Sequence, residues 1–115
     1  MPTIIYHNPR CSKSRQTLQL LAEHGVEAQV INYLDTPPSH AELERILRLL
    51  GLEPRELMRH KEAEYAALRL DDPALTRDAL IDAMVQHPRL IERPIVIRGK
   101  QAVIGRPPEK VLEIL

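Results

Sequence analysis

Residues 4–25 read IIYHNPRCSKSRQTLQLLAEHG and hold Cys11, the one cysteine of the chain. A cysteine does chemistry as its thiolate, which is favoured where positive charge or a helix N-terminus lies close by. Cys11 stands at such a place. Thr3 to Tyr6 is a short β-branched run that reads as a strand, and helical spacing starts at Ser12. The cysteine therefore falls at a helix N-terminus, where N–H groups lack partners and the helix dipole is positive. Arg10, Lys13 and Arg15 are near it in the chain, and His7 precedes it by one short loop. The competing reading is a small buried thiol that only fills space. The strand-to-helix position among cations argues for reactivity.

The same turn suits an anion. Its N–H groups can donate to an oxyanion, and Ser12 and Ser14 can add hydroxyls. A nucleophile set inside such a cradle can attack the central atom of a tetrahedral oxyanion. Either serine can equally cap the helix, and the sequence does not divide the two roles. Two arginines stand directly before prolines, Arg93 in ERPIV and Arg106 in GRPPE. A residue before proline is held extended, and a guanidinium grips an oxyanion with two donors. On residue type alone, both are equally solvated surface arginines. Pro94 opens a strand and is a candidate for a cis peptide. His24, His40, His60 and His87 share no metal-ligand spacing with Cys11. They read as surface or boundary residues, and no metal site is expected.

The elements that must position these groups follow from periodicity. The first helix carries Leu18, Leu21 and Ala22 on its inner face and ends at Gly25. A second strand covers Ala28 to Tyr33, with Val30 and Ile31 at its centre. After the DTPPS loop, Ser39 and Glu42 form a capping box for a helix with Leu43, Ile46, Leu47 and Leu50 inward, stopped by Gly51. The stretch of roughly 53–90 offers short helices and no strand; one helix starts at Thr76 and ends before His87-Pro88. PIVIRGKQAVI reads as a hairpin turning near Gly99. Pro107 and Pro108 lead into a last helix with Val111, Leu112 and Leu115 inward. The order β-α-β … β-β-α predicts an α/β fold on a small mixed sheet, with a helical insertion between the halves.

Bulk properties set limits. A chain of 115 residues is one domain's worth. With no Phe, no Trp and three Tyr, its core must be aliphatic. A formal net charge of zero gives no footprint for nucleic acid or an anionic membrane. A lone cysteine fits a reducing compartment. The start lacks a signal-peptide pattern, and no apolar run reaches membrane-spanning length. A cytoplasmic protein is expected.

Five segments together, YHNPRCSKSRQTL, INYLDTPPS, LMRHKEAEY, ERPIVI and GRPPEKVLEIL, resemble the glutaredoxin-dependent arsenate reductase family, in order and over nearly the whole chain. The resemblance implies a thioredoxin-like fold over 1–115. It implies Cys11 as the nucleophile, His7 as the histidine that lowers its pKa, and Arg59, Arg93 and Arg106 as oxyanion binders. It also implies a cis Pro94. The family's reaction needs no resident cofactor. Its thiolate attacks arsenate, glutathione acts as co-substrate, and glutaredoxin resolves the mixed disulfide, so one protein cysteine suffices. Where family members often read Cys-Gly-Thr-Ser-Arg, this chain has Cys11-Ser12-Lys13-Ser14-Arg15. Two other functions share the architecture: a glutathione-linked thiol oxidoreductase of other substrates, and a regulatory adaptor resembling Spx. Many relatives of Spx carry a Cys-x-x-Cys switch, which Ser14 precludes here.

Overall fold

The computed structural model describes residues 2–115. Its contacts divide the chain into two compact units. One joins the segment up to Thr36 with Arg93–Leu115; the other is Pro37–Glu92. The second thus takes in the helix after the DTPPS loop as well as the 53–90 stretch.

The first unit is built on β1 (Thr3–His7), whose β-branched residues favour a strand. It pairs in parallel with β2 (Ala28–Asn32) and antiparallel with β3 (Ile95–Arg98), which pairs antiparallel with β4 (Gln101–Ile104). The sheet order is β2-β1-β3-β4. This mixed sheet, with its β-α-β and β-β-α halves, is thioredoxin-like. Strand β2 lies at an edge, so Val30, central in its strand, is 47% exposed.

Helix α1 (Ser12–Glu23) crosses from β1 to β2. Ile5, Leu21, Val96, Val111 and Ile114 form the aliphatic core on that side of the sheet. Side chains alternate along a strand, so His7 shares the face of Ile5, the face α1 covers. The inner stripe of α1 is Ser14, Thr17 and Leu21. Ala22, expected inward, is exposed, because the stripe centres one residue earlier, on Leu21. Two members of that stripe are polar, and their hydrogen bonds build the site described below.

The last helix is a 3-10 helix, Pro108–Ile114. Its three-residue turn repeats side chains at i and i+3, which buries Pro108, Val111 and Ile114. The α-helical expectation of Leu112 and Leu115 facing inward is therefore corrected: each is 41% exposed.

In the second unit, α2 (His40–Leu50) starts at Ser39, whose hydroxyl accepts from the Glu42 N–H at 3.1 Å. It ends at Gly51, in the left-handed region at φ 69°. A 3-10 turn (Pro54–Leu57), a short α3 (Ala63–Ala67) and α4 (Arg77–Gln86) follow. Thr76 caps α4 by accepting from the Ala79 N–H at 3.1 Å. Leu43, Ile46, Leu47, Leu57, Leu80, Ile81, Met84 and Leu90 are buried in this unit. No helix among the described residues is long and apolar enough to cross a membrane.

Candidate active site

Strand β1 ends at His7, and the chain turns at once. The Cys11 N–H returns to the Asn8 carbonyl at 3.0 Å, and the Asn8 side-chain oxygen accepts from the Arg10 N–H at 3.0 Å. This turn sets Cys11 as the N-cap of α1, with extended backbone (φ −97°, ψ 123°). The thiol makes no capping hydrogen bond. Its ionised form has several partners. Burial raises the sulfur's pKa; the Ser14 N–H, the Arg93 charge, the Lys13 N–H and the Arg106 charge lower it and prevail, so the net shift is downward.

The two arginines arrive from the far end of the chain. Hairpin pairing puts Ile95 opposite Ile104, so Arg93 before β3 and Arg106 after β4 emerge side by side. The peptides Arg93–Pro94 and Arg106–Pro107 are both cis. Arg106 Nη1 lies 3.8 Å from Cys11 Sγ and 3.5 Å from the Arg93 carbonyl oxygen. The corner between β4 and Arg106 is held by the Gly105 N–H, which donates to the Pro94 carbonyl at 2.9 Å. Thr17 donates its hydroxyl to the Lys13 carbonyl at 2.9 Å, with the Gly105 carbonyl at 3.4 Å. A β-carbon on Gly105 would stand 2.9 Å from Pro94 Cγ. Glycine alone lets this corner close on α1.

His7 is 7% exposed, and its Nδ1 lies 2.6 Å from the Ser14 hydroxyl. Burial first, and the Arg15 charge second, hold the imidazole below its ordinary pKa, so it is neutral at neutral pH. The groups that favour the thiolate are therefore N–H dipoles and guanidinium charges. Ser14, expected to lend its hydroxyl to an oxyanion, is fully buried. That hydroxyl is engaged by His7 and by the Asn8 N–H at 3.0 Å; what Ser14 offers the sulfur is its backbone N–H. Ser12 and Lys13 are exposed on the first turn of α1. Arg15 donates to the Pro9 carbonyl at 2.8 Å and so braces the turn.

Arg59 belongs to the second unit. Its N–H donates to the Leu90 carbonyl at 2.7 Å, and its guanidinium pairs with Glu62 at 2.6 Å. Glu62 also contacts Arg89 at 3.4 Å. Among the other histidines, His40 joins α2 to α4: it meets Asp82 at 2.8 Å, Asp78 at 3.3 Å and Glu44 at 3.9 Å. His60 stacks on Tyr65, with ring centroids 4.4 Å apart.

Sequence reasoning missed Thr17 and Gly105. Their signal is a long-range contact, and neither residue type announces it.

Taken together, the first unit assembles a cysteine at a helix N-terminus, its pKa lowered, with two guanidinium groups beside it. Such an arrangement can bind a multiply charged oxyanion and attack its central atom. The model of the ArsC family matches residues 6–114. The uncharacterized protein YfgD of Escherichia coli (strain K12) is 58% identical over 112 residues, covering 96% of this chain and 94% of that protein. An arsenate reductase of Neisseria meningitidis is 51% identical over 117 residues, covering 100% of both. A solved structure of an arsenate reductase from Vibrio cholerae superposes with a TM-score of 0.97 at 58% identity, covering 100% of this chain and 98% of that one.

Proposed function

The chain belongs to the ArsC family, and on that footing we propose that it is an arsenate reductase with Cys11 as nucleophile. Glutathione is the co-substrate, and glutaredoxin is the partner that restores the thiolate. The observation that carries the reading is a cysteine biased toward its thiolate with a guanidinium 3.8 Å from the sulfur. Relatives named as arsenate reductases at about half identity or more support the choice of oxyanion.

In the first step Arg93 and Arg106 take arsenate oxygens, and the Cys11 sulfur attacks arsenic. An S–As bond forms and one oxygen leaves as water, with protons from solvent. Glutathione sulfur then bonds to Cys11 sulfur and the S–As bond breaks. Its electron pair stays on arsenic, which falls from As(V) to As(III) and leaves as arsenite. A glutaredoxin thiolate takes the glutathione and frees Cys11. No second cysteine in this chain is needed, and it has none. Glutathione and a lone thiol both suit a reducing compartment, so we assign the protein to the cytoplasm.

The test is arsenite release from arsenate with glutathione, with and without glutaredoxin. Turnover that needs glutaredoxin and vanishes in Cys11→Ser supports the reading. Lack of turnover, or an active Cys11→Ser protein, sinks it. Reduction of a glutathione mixed disulfide that survives both Arg93→Ala and Arg106→Ala would point to a thiol oxidoreductase of other substrates.

A further inference from the structure

The Ser14 hydroxyl is fully buried, which makes its proton accountable. A hydroxyl has one hydrogen to donate and can accept others. Ser14 Oγ has two hydrogen-bond partners among the described residues, the Asn8 N–H at 3.0 Å and His7 Nδ1 at 2.6 Å. The first is a donor, so the oxygen accepts there. The hydroxyl hydrogen then has one acceptor to go to, the ring nitrogen. Were Nδ1 protonated instead, two N–H groups would converge on one oxygen, and the buried hydroxyl hydrogen would be orphaned. Such an orphan costs about 1–3 kcal/mol.

From this we infer that Ser14 is a positioning residue that fixes His7 as the neutral tautomer protonated on Nε2. Burial and the nearby Arg15 charge reinforce the neutral ring. The consequence is chemical. A neutral imidazole takes up a proton through its bare nitrogen, and that nitrogen is covered by Ser14. His7 is thereby a hydrogen-bond donor through Nε2–H, and not the base that removes the Cys11 proton. Ser14 has two separate duties: its N–H favours the thiolate, and its hydroxyl sets the state of His7. The inference stands on the hydrogen-bond geometry and holds whatever oxyanion the protein takes.

The experiment is long-range hydrogen–nitrogen correlation of the histidine rings in nitrogen-15-labelled protein at neutral pH. His7 is assigned by comparison with His7→Gln. The wild-type ring is expected to show only the Nε2–H tautomer pattern. An Nδ1–H tautomer or an imidazolium overturns the inference. In Ser14→Ala the single-tautomer pattern is expected to be lost, and Ser14→Thr, which keeps the hydroxyl, is expected to restore it. A pure Nε2–H pattern retained in a folded Ser14→Ala protein also overturns it. If Ser14→Ala does not fold, the wild-type spectrum and Ser14→Thr still decide. None of these readouts needs arsenate, so a protein without arsenate turnover can lose the proposed function and keep this assignment, or the reverse.

Discussion

Thr17 Oγ1 lies 2.6 Å from the position a β-carbon on Gly105 would occupy. Helix α1, which presents Cys11, and the corner that presents Arg106 touch at this point with no room to spare. The close approach makes residue 105 a structural gauge for the spacing of sulfur and guanidinium.

Gly105→Ala is expected to destabilise the protein by about 1–3 kcal/mol, the usual range for overpacking. Neither the Pro94 ring nor the Thr17 side chain, both held in place, can move aside cheaply. A urea titration of wild type and variant measures this. A midpoint unchanged within error would mean that the corner is looser than described.

Cys11 is expected to react with iodoacetamide at a pH midpoint below about 8.5, the ordinary thiol value. Because the folded pKa is lowered, the thiolate persists as pH falls from that value to the folded pKa, and reactivity is lost only below the latter. Arg93→Ala and Arg106→Ala each remove a charge that lowers the pKa, so each should move the midpoint up. Arg106→Ala should also weaken arsenate use, read as kcat/KM, by about ten- to a hundredfold, as expected for one lost charge-assisted hydrogen bond. A midpoint that ignores both substitutions would show that the N–H groups alone hold the thiolate.

The stability of the second unit should carry a pH signature from His40. The Asp82 hydrogen bond is the main cause that raises its pKa, with the Asp82, Asp78 and Glu44 charges adding to it. A raised folded pKa means that the contribution is complete below the unfolded value of 6.5 and is lost as pH climbs through the folded value. The gap in denaturation midpoint between wild type and His40→Gln should therefore be wider near about pH 5.5 than near about pH 8.5. Equal gaps at both would remove His40 from the account.

The 3-10 register of the last helix separates neighbours sharply. Val111→Ala should cost about 1.5–3 kcal/mol, because Val111 is fully buried. Leu112→Lys, one residue on, should change stability by no more than about 0.5 kcal/mol. Thermal or chemical melts of the two variants check the pair; a reversed order would restore the α-helical register.

The elements of the fold were legible where their cause is local. The N-caps at Ser39 and Thr76, the left-handed stop at Gly51 and the hairpin through Gly99 follow from residue types within one turn. The place of Cys11 at the head of α1 follows from a strand pattern meeting a helix pattern. What stayed hidden has its cause elsewhere in the chain. Ser14 and Thr17 look like surface residues of an amphipathic helix. They are buried because Asn8, His7 and the Gly105 corner satisfy them, and no window on α1 contains that information. Leu112 and Leu115 were misassigned because periodicity assumes a period, and the chain adopts three residues per turn after Pro107-Pro108. His7 shows the limit in another way. Its nearness to Cys11 in sequence suggested a charge partner, whereas its burial against Ser14 makes it neutral.

Arg106 follows Cys11 by 95 residues along the chain. The thiol is therefore synthesised long before the guanidinium that sits beside it. Until the β3–β4 hairpin docks on β1, Cys11 has neither Arg93 nor Arg106 near it, and the forces that favour its thiolate are incomplete. The full bias toward the thiolate thus requires the docked hairpin. A thiol without Arg93 and Arg106 beside it lacks both charges, and the complete nucleophile exists only in molecules whose two ends have met.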